Sequence, residues 1–225
     1  MSLLMPKTFR LTPVGLLSVL LACLTIQAVG AAQLSGLDAD AAIQAASSAM
    51  EKKDYQRALV ILAPALQLRP EDPTALNLKG AILTKTKDYE GARLCYESAL
   101  KASPGFFPAR YNLGSLLALQ QQWDPSITYF RNLLIEQPNN ELVEYKLLLL
   151  LLSRNVDPEL EKRLFNSPTP SNTPAWYYAS AARSYKSGDP SKASQYIQVA
   201  KSVFGDKTDI FQEELDESGL HISKK

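Results

Sequence analysis

Few residues in this 225-residue chain could do chemistry on their own. The single histidine, His221, stands near the C-terminus, and the two cysteines are Cys23 and Cys95. Nothing in their placement has the spacing of a metal site, and neither a Gly-rich phosphate loop nor a nucleophile elbow occurs. The carboxylates sit in mixed runs such as Glu51-Lys52-Lys53-Asp54, whose default is solvated helix surface. Cys95, next to Tyr96, reads as a small packed thiol. The sequence therefore points away from an enzyme, a metal and a cofactor. What recurs instead is a set of aromatic and small residues at one spacing, and their chemistry is packing and recognition.

The spacing is 34 residues. Tyr55, Tyr89 and Trp123 share it, as do Pro70, Pro104 and Pro138. So do Ala58, Ala92 and Ser126, then Ala65, Ala99 and Leu133, and Ala46, Gly80 and Gly114. A fixed period with small residues in register means one helix-turn-helix unit used repeatedly. Ala58 and Ala65 lie seven apart on one helix face, as do Ala92 and Ala99, so a second helix can approach closely there. Four Asp-Pro pairs, at Asp72, Asp124, Asp157 and Asp189, predict helix starts. Asp caps free backbone N–H groups, and Pro loses nothing at the first helical position. Pro64 lies inside a second helix and predicts a kink rather than an end.

These residues resemble the tetratricopeptide repeat family. The resemblance implies an all-α fold, a right-handed superhelical solenoid of antiparallel helix pairs with about five repeats over residues 39–206. The repeats fall at 39–72, 73–106, 107–140, 141–173 and 174–206. Repeats 1 to 3 match best. Repeat 4 is degenerate, with Leu160 at the small position and Asp157 at the aromatic one. It closes on the Pro/Ser/Thr segment 167–174, read as a loop and as the most protease-sensitive internal site. The six leucines Leu147 to Leu152 are either a helix buried on all sides or an apolar strip facing a groove. Residues 207–225 form a capping helix and tail, with Phe211 and Leu215 four apart and His221 in the tail.

The resemblance also implies where a partner binds, because in that family the first helix of each repeat lines a concave groove. The inward positions offer Asn77, Tyr111, Asn112, Ser115, Tyr145, Lys146, Tyr178 and Tyr185. Asn can bind a peptide backbone through donor and acceptor, Tyr adds area with a polar tip, and Lys meets a carboxylate. The same side chains could instead satisfy local groups or pack between helices. The family's clamp for a C-terminal carboxylate is expected to be absent, with Ala81 and Leu142 at two of its positions.

Residues 1–31 read as a signal peptide: Lys7 and Arg10, an apolar run from Val14 to Ile26, then small residues with cleavage after Ala31. The run could instead be an uncleaved anchor, or Cys23 a lipidation site. All three predict an exported chain, periplasmic, secreted or membrane-anchored facing the periplasm. Net charge is +1, without a basic block, so nucleic acid is not an expected partner. The expected partner is a protein or peptide. The expected role is a scaffold or assembly factor of the cell envelope, or else a structural accessory subunit that uses its convex or lateral face.

Overall fold

Side-chain caps punctuate the chain. Asp38, Asp54, Asp72, Asp88, Asn140, Thr173 and Asp189 each accept a backbone N–H from the first turn of the helix that follows. Each satisfies donors that a helix start leaves free. The resulting helices are α1 (Ala39–Glu51), α2 (Tyr55–Leu68), α3 (Pro73–Lys85), α4 (Tyr89–Ala102), α5 (Phe107–Leu119), α6 (Trp123–Glu136) and α7 (Glu141–Arg154). After them come α8 (Pro174–Lys186), α9 (Pro190–Phe204), a 3-10 turn (Gly205–Thr208) and α10 (Asp209–Glu217). This computed structural model describes residues 38–155, 158, 162 and 173–220. The expected signal peptide with Cys23, most of the second half of repeat 4 with nearly all of the Pro/Ser/Thr segment, and His221 lie outside those residues. Among the described residues there is no strand.

Two of the Asp-Pro pairs behave as expected. Asp72 accepts from Thr74 N and Ala75 N, and Asp189 from Lys192 N. Asp124 does not cap. Helix α6 already starts at Trp123, and its cap position holds Gln122 without a side-chain bond. The 34-residue frame explains this, since Asp54 and Asp88 cap at the equivalents of 122. Pro125 is tolerated because the N–H groups of the first helical turn need no intrahelical acceptor. Helix α2 runs through Pro64 without ending.

The turn inside each pair carries a backbone signature with the same period. Lys53, Lys87, Gln121 and Asn155 have φ of 60°, 65°, 61° and 56°, and Gly188 stands at the corresponding place with φ 86°. Left-handed backbone is costly for residues with a Cβ. It is held here by paired bonds: the N–H of Lys87 donates to Thr84 O and that of Asp88 to Leu83 O.

The chain divides into two bodies between Phe106 and Phe107. In the N-terminal body α1 pairs with α2 and α3 with α4, and α3 also packs on α1 and α2. Ala46, Ala58, Leu62, Ala75, Leu78 and Ile82 form its core. The crossing of α3 and α4 shows why small residues are needed. A Cβ on Gly80 would lie 2.5 Å from the Tyr96 ring, and Ala92 is fully buried.

In the C-terminal body α5 pairs with α6 and α8 with α9, and α7 packs against α6 and α8. A Cβ on Gly114 would come within 2.9 Å of Phe130, while Ser126 Oγ donates to Gly114 O at 2.8 Å. The leucine run is buried on every side. Leu147, Leu150 and Leu151 join the core of α5 and α6, whereas Leu148, Leu149 and Leu152 join that of α8 and α10. Lys186 Nζ donates to Leu152 O, one of the free carbonyls at the end of α7.

Candidate partner-binding surface

Most of the expected groove residues belong to the C-terminal body, on the first helices of repeats 3, 4 and 5. Helix α5 carries Tyr111, Asn112 and Ser115, α7 carries Tyr145 and Lys146, and α8 carries Tyr178 and Tyr185. The structure brings Tyr111, Tyr145, Lys146 and Tyr178 together and covers them with this chain's own α10, which packs on α7 and α8. Tyr111 Oη donates to Glu214 Oε1 at 2.8 Å, and Lys146 Nζ donates to Glu214 Oε2. Tyr145 Oη donates to Phe211 O at 3.1 Å, and Tyr178 Oη to Gln212 Oε1 at 3.3 Å. The Phe211 ring sits edge-on to Tyr145 at 5.4 Å and is tilted against Tyr178 at 6.1 Å. Leu215 joins Leu148, Leu149 and Leu152 in one core.

The electrostatics follow from burial. Lys146 and Glu214 are only 5% and 7% exposed, so the pair is taken out of water together. Burial, reinforced by the Glu214 charge, holds the hydroxyls of Tyr111 and Tyr145 well above the ordinary tyrosine range. Burial also raises that of Tyr178. At neutral pH these three are donors, and their hydrogen bonds to α10 need that state. The arrangement binds a helix and orients it. Cys95, half-buried, is likewise pushed up by burial, which lowers its thiolate fraction.

The other expected residues are placed differently. Ser115 is buried beside the cluster, and its hydroxyl has no partner among the described residues. Tyr185 is partly buried against the α8–α10 core, and Asn112 is half-buried and engaged. Asn77 lies in the N-terminal body on α3, also half-buried and engaged. Sequence reasoning passed over Phe211, Gln212 and Glu214 as ligands of the surface. The available signal was a lysine at an expected groove position with no acid three or four residues away on its helix, which calls for a carboxylate from elsewhere in the chain.

A family model described as "Tetratricopeptide repeat" matches residues 43–105 and 88–141. Residues 43–141 are tetratricopeptide repeats. A tetratricopeptide repeat protein from Parabacteroides merdae has a similar structure, with TM-score 0.66 and 18% identity over 84% of this chain and 75% of that one. The pilF protein of Pseudomonas aeruginosa aligns with TM-score 0.57 and 20% identity over 80% of this chain and 86% of that one. These likenesses show the fold, a solenoid of successive helix pairs. The Thermobaculum terrenum O-GlcNAc transferase matches with TM-score 0.50 and 25% identity over 57% of this chain, but over only 26% of the transferase. No curated protein matches the chain. Tetratricopeptide repeats are in general protein-interaction modules without catalysis of their own, and this chain has that fold.

Proposed function

We propose that this chain is an exported interaction module, without enzymatic activity, that scaffolds or assembles a complex of the cell envelope by holding a segment of a partner protein. The observation that supports the reading is the seating of α10. The inward faces of α5, α7 and α8 give a helix a carboxylate acceptor site, two aromatic walls and hydroxyl donors. A surface that binds one helix through these groups is chemically suited to bind another. Export rests on Lys7 and Arg10 before the apolar run and the small residues at 28–32. A second reading has its own support: Val199 and Val203, one turn apart on α9, are exposed, as an accessory subunit binding along another face requires.

One experiment addresses both. The chain is recovered from envelope fractions after cross-linking, and its N-terminus is sequenced. The mature chain is expected to begin at Ala32, and a full-length cytosolic product overturns export. Partner capture is expected to fall with Asn112→Ala/Tyr185→Ala and to survive Val199→Ser/Val203→Ser. The reverse pattern replaces the groove reading with the accessory one.

A further inference from the structure

The helix seated on the C-terminal body fits it well on one side and poorly on the other. Phe211, Glu214 and Leu215, at spacings of three and one, fill the aromatic, cationic and leucine-rich sites described above. Toward α5 the fit fails. A partly open cavity of about 250 Å³ remains among α5, the start of α6, α7 and α10, lined by Ser115, Ala118, Trp123, Leu149 and Leu150, with Glu217 and Ser218 on the α10 side. Ser115, nine-tenths buried, is one of the lining residues, and its hydroxyl, closed off from solvent, has no partner among the described residues. Ser218 does not serve it, because its own hydroxyl turns back to Leu215 O at 2.6 Å. A buried hydroxyl left unpaired is costly, so this seat is incompletely filled.

Helix α10 is also short. The helix has nine residues, far below the length at which an isolated helix is stable in water. It is reached through Gly205, at φ 57°, and one short 3-10 turn. Tethering adds to the buried contacts of α10 by giving it an effective concentration in about the millimolar range. A competitor must add a contact that α10 lacks.

We propose that this surface is the receptor for an acidic amphipathic helix of a partner protein. The partner helix repeats the Phe-x-x-Glu-Leu pattern of α10 and carries, at the place of Ser218, an aromatic side chain with a hydroxyl tip. Helix α10 holds the seat in the free chain and leaves when the better-filling helix arrives. The cavity is smaller than the roughly 300–1,000 Å³ of sites for drug-sized ligands, so it takes one side chain. A tyrosine suits its lining: a ring against Ala118, Trp123, Leu149 and Leu150, and a hydroxyl for Ser115. A buried aromatic in such a pocket is the kind of contact that dominates a helix-in-groove interface. The inference rests on the groove reading of the proposed function and names the partner's chemistry.

The test uses the chain with its own α10 and two synthetic peptides of residues 205–220, one unaltered and one with Ser218→Tyr, followed by fluorescence anisotropy. The Ser218→Tyr peptide is expected to bind at least about tenfold more tightly. Lys146→Met in the chain should weaken both peptides, and Ser115→Phe, which fills the cavity, should remove only the advantage of the altered one. A chain with Phe211→Ala/Leu215→Ala in α10 should bind both more readily. Equal affinities overturn the role of the cavity. Failure of both peptides on the Phe211→Ala/Leu215→Ala chain, with its helical circular dichroism intact, overturns the receptor. Should that variant unfold, Ser218→Tyr in the chain itself decides: a raised melting temperature supports the fit, and an unchanged or lowered one overturns it. None of these outcomes depends on export or on capture from the envelope, so either reading can fail alone.

Discussion

Gly80 and Glu214 show how single residues set this molecule. Gly80 exists for the ring of Tyr96, which Thr84 holds from the hydroxyl end at 3.0 Å. Gly80→Ala gains helix propensity of about 0.5–1 kcal/mol. It also drives a methyl group into a tethered ring, at a cost of about 1–3 kcal/mol. The net outcome expected is a lower melting temperature in denaturation followed by circular dichroism, with Tyr96→Leu restoring part of it. Around Glu214 the sign of the pH dependence can be worked out. Tyr111 and Tyr145 have hydroxyl pKa values raised by burial and by the Glu214 charge. Their contribution is complete below the unfolded value near 10 and is lost as pH rises from there toward the folded value. Melting temperature is thus expected to hold steady up to about pH 10 and fall above it. Tyr145→Phe should flatten that fall. A fall beginning near neutrality would show that other groups govern the transition.

Within a helix pair, the turn is the part that sequence patterns conceal. The tyrosines that open α2 and α4 are visible in the 34-residue frame, but the left-handed residue two places earlier is not. Lys53, Lys87 and Gln121 are ordinary helix formers, and only Gly188 announces its backbone. The strain should be relieved by removing the Cβ. Lys87→Gly is expected to raise stability by up to about 1 kcal/mol, since left-handed backbone costs a residue with a Cβ roughly 1–2 kcal/mol and glycine loses part of that gain to chain entropy. Urea denaturation measures it, and a clear loss of stability would show that the Lys87 side chain has a role of its own. The degenerate repeat is another matter of element-level patterning. Six leucines mark no face, so their period could not say where α7 points. Burial between two cores, one on each side, answers it.

For the molecule taken as a whole, repeat architecture predicts that damage stays local. Each body closes a core on its own helices, and in repeat arrays stability is largely a sum of neighbouring contacts. Glu214→Ala leaves Lys146 buried without its carboxylate, a loss of about 3–5 kcal/mol for pairs of this kind. Amide exchange is expected to accelerate across α7, α8 and α10, while α1 to α4 keep their rates. Replacing both partners, as Lys146→Met/Glu214→Leu, should recover much of the protection. Uniform acceleration along the chain would mean that it unfolds as one cooperative block.

The sequence by itself determined the architecture, because a solenoid is written locally. Helix period, capping aspartates, small crossing residues and the 34-residue interval each act within one repeat or between adjacent ones. Tyr55, Ala58 and Gly80 could therefore be placed without coordinates. The same locality explains the one misplaced cap: Asp124-Pro125 has the right chemistry two residues out of frame. The candidate surface was legible only as a row of positions on first helices. What lies against those positions was decided by tertiary structure. Glu214 is 68 residues from Lys146 and 103 from Tyr111, and no repeat pattern links them. Only folding the end of the chain back onto α7 and α8 covers those positions. The mismatch left beside Ser115 also belongs to that packing, since a cavity is a property of surfaces brought together and not of any residue in either one.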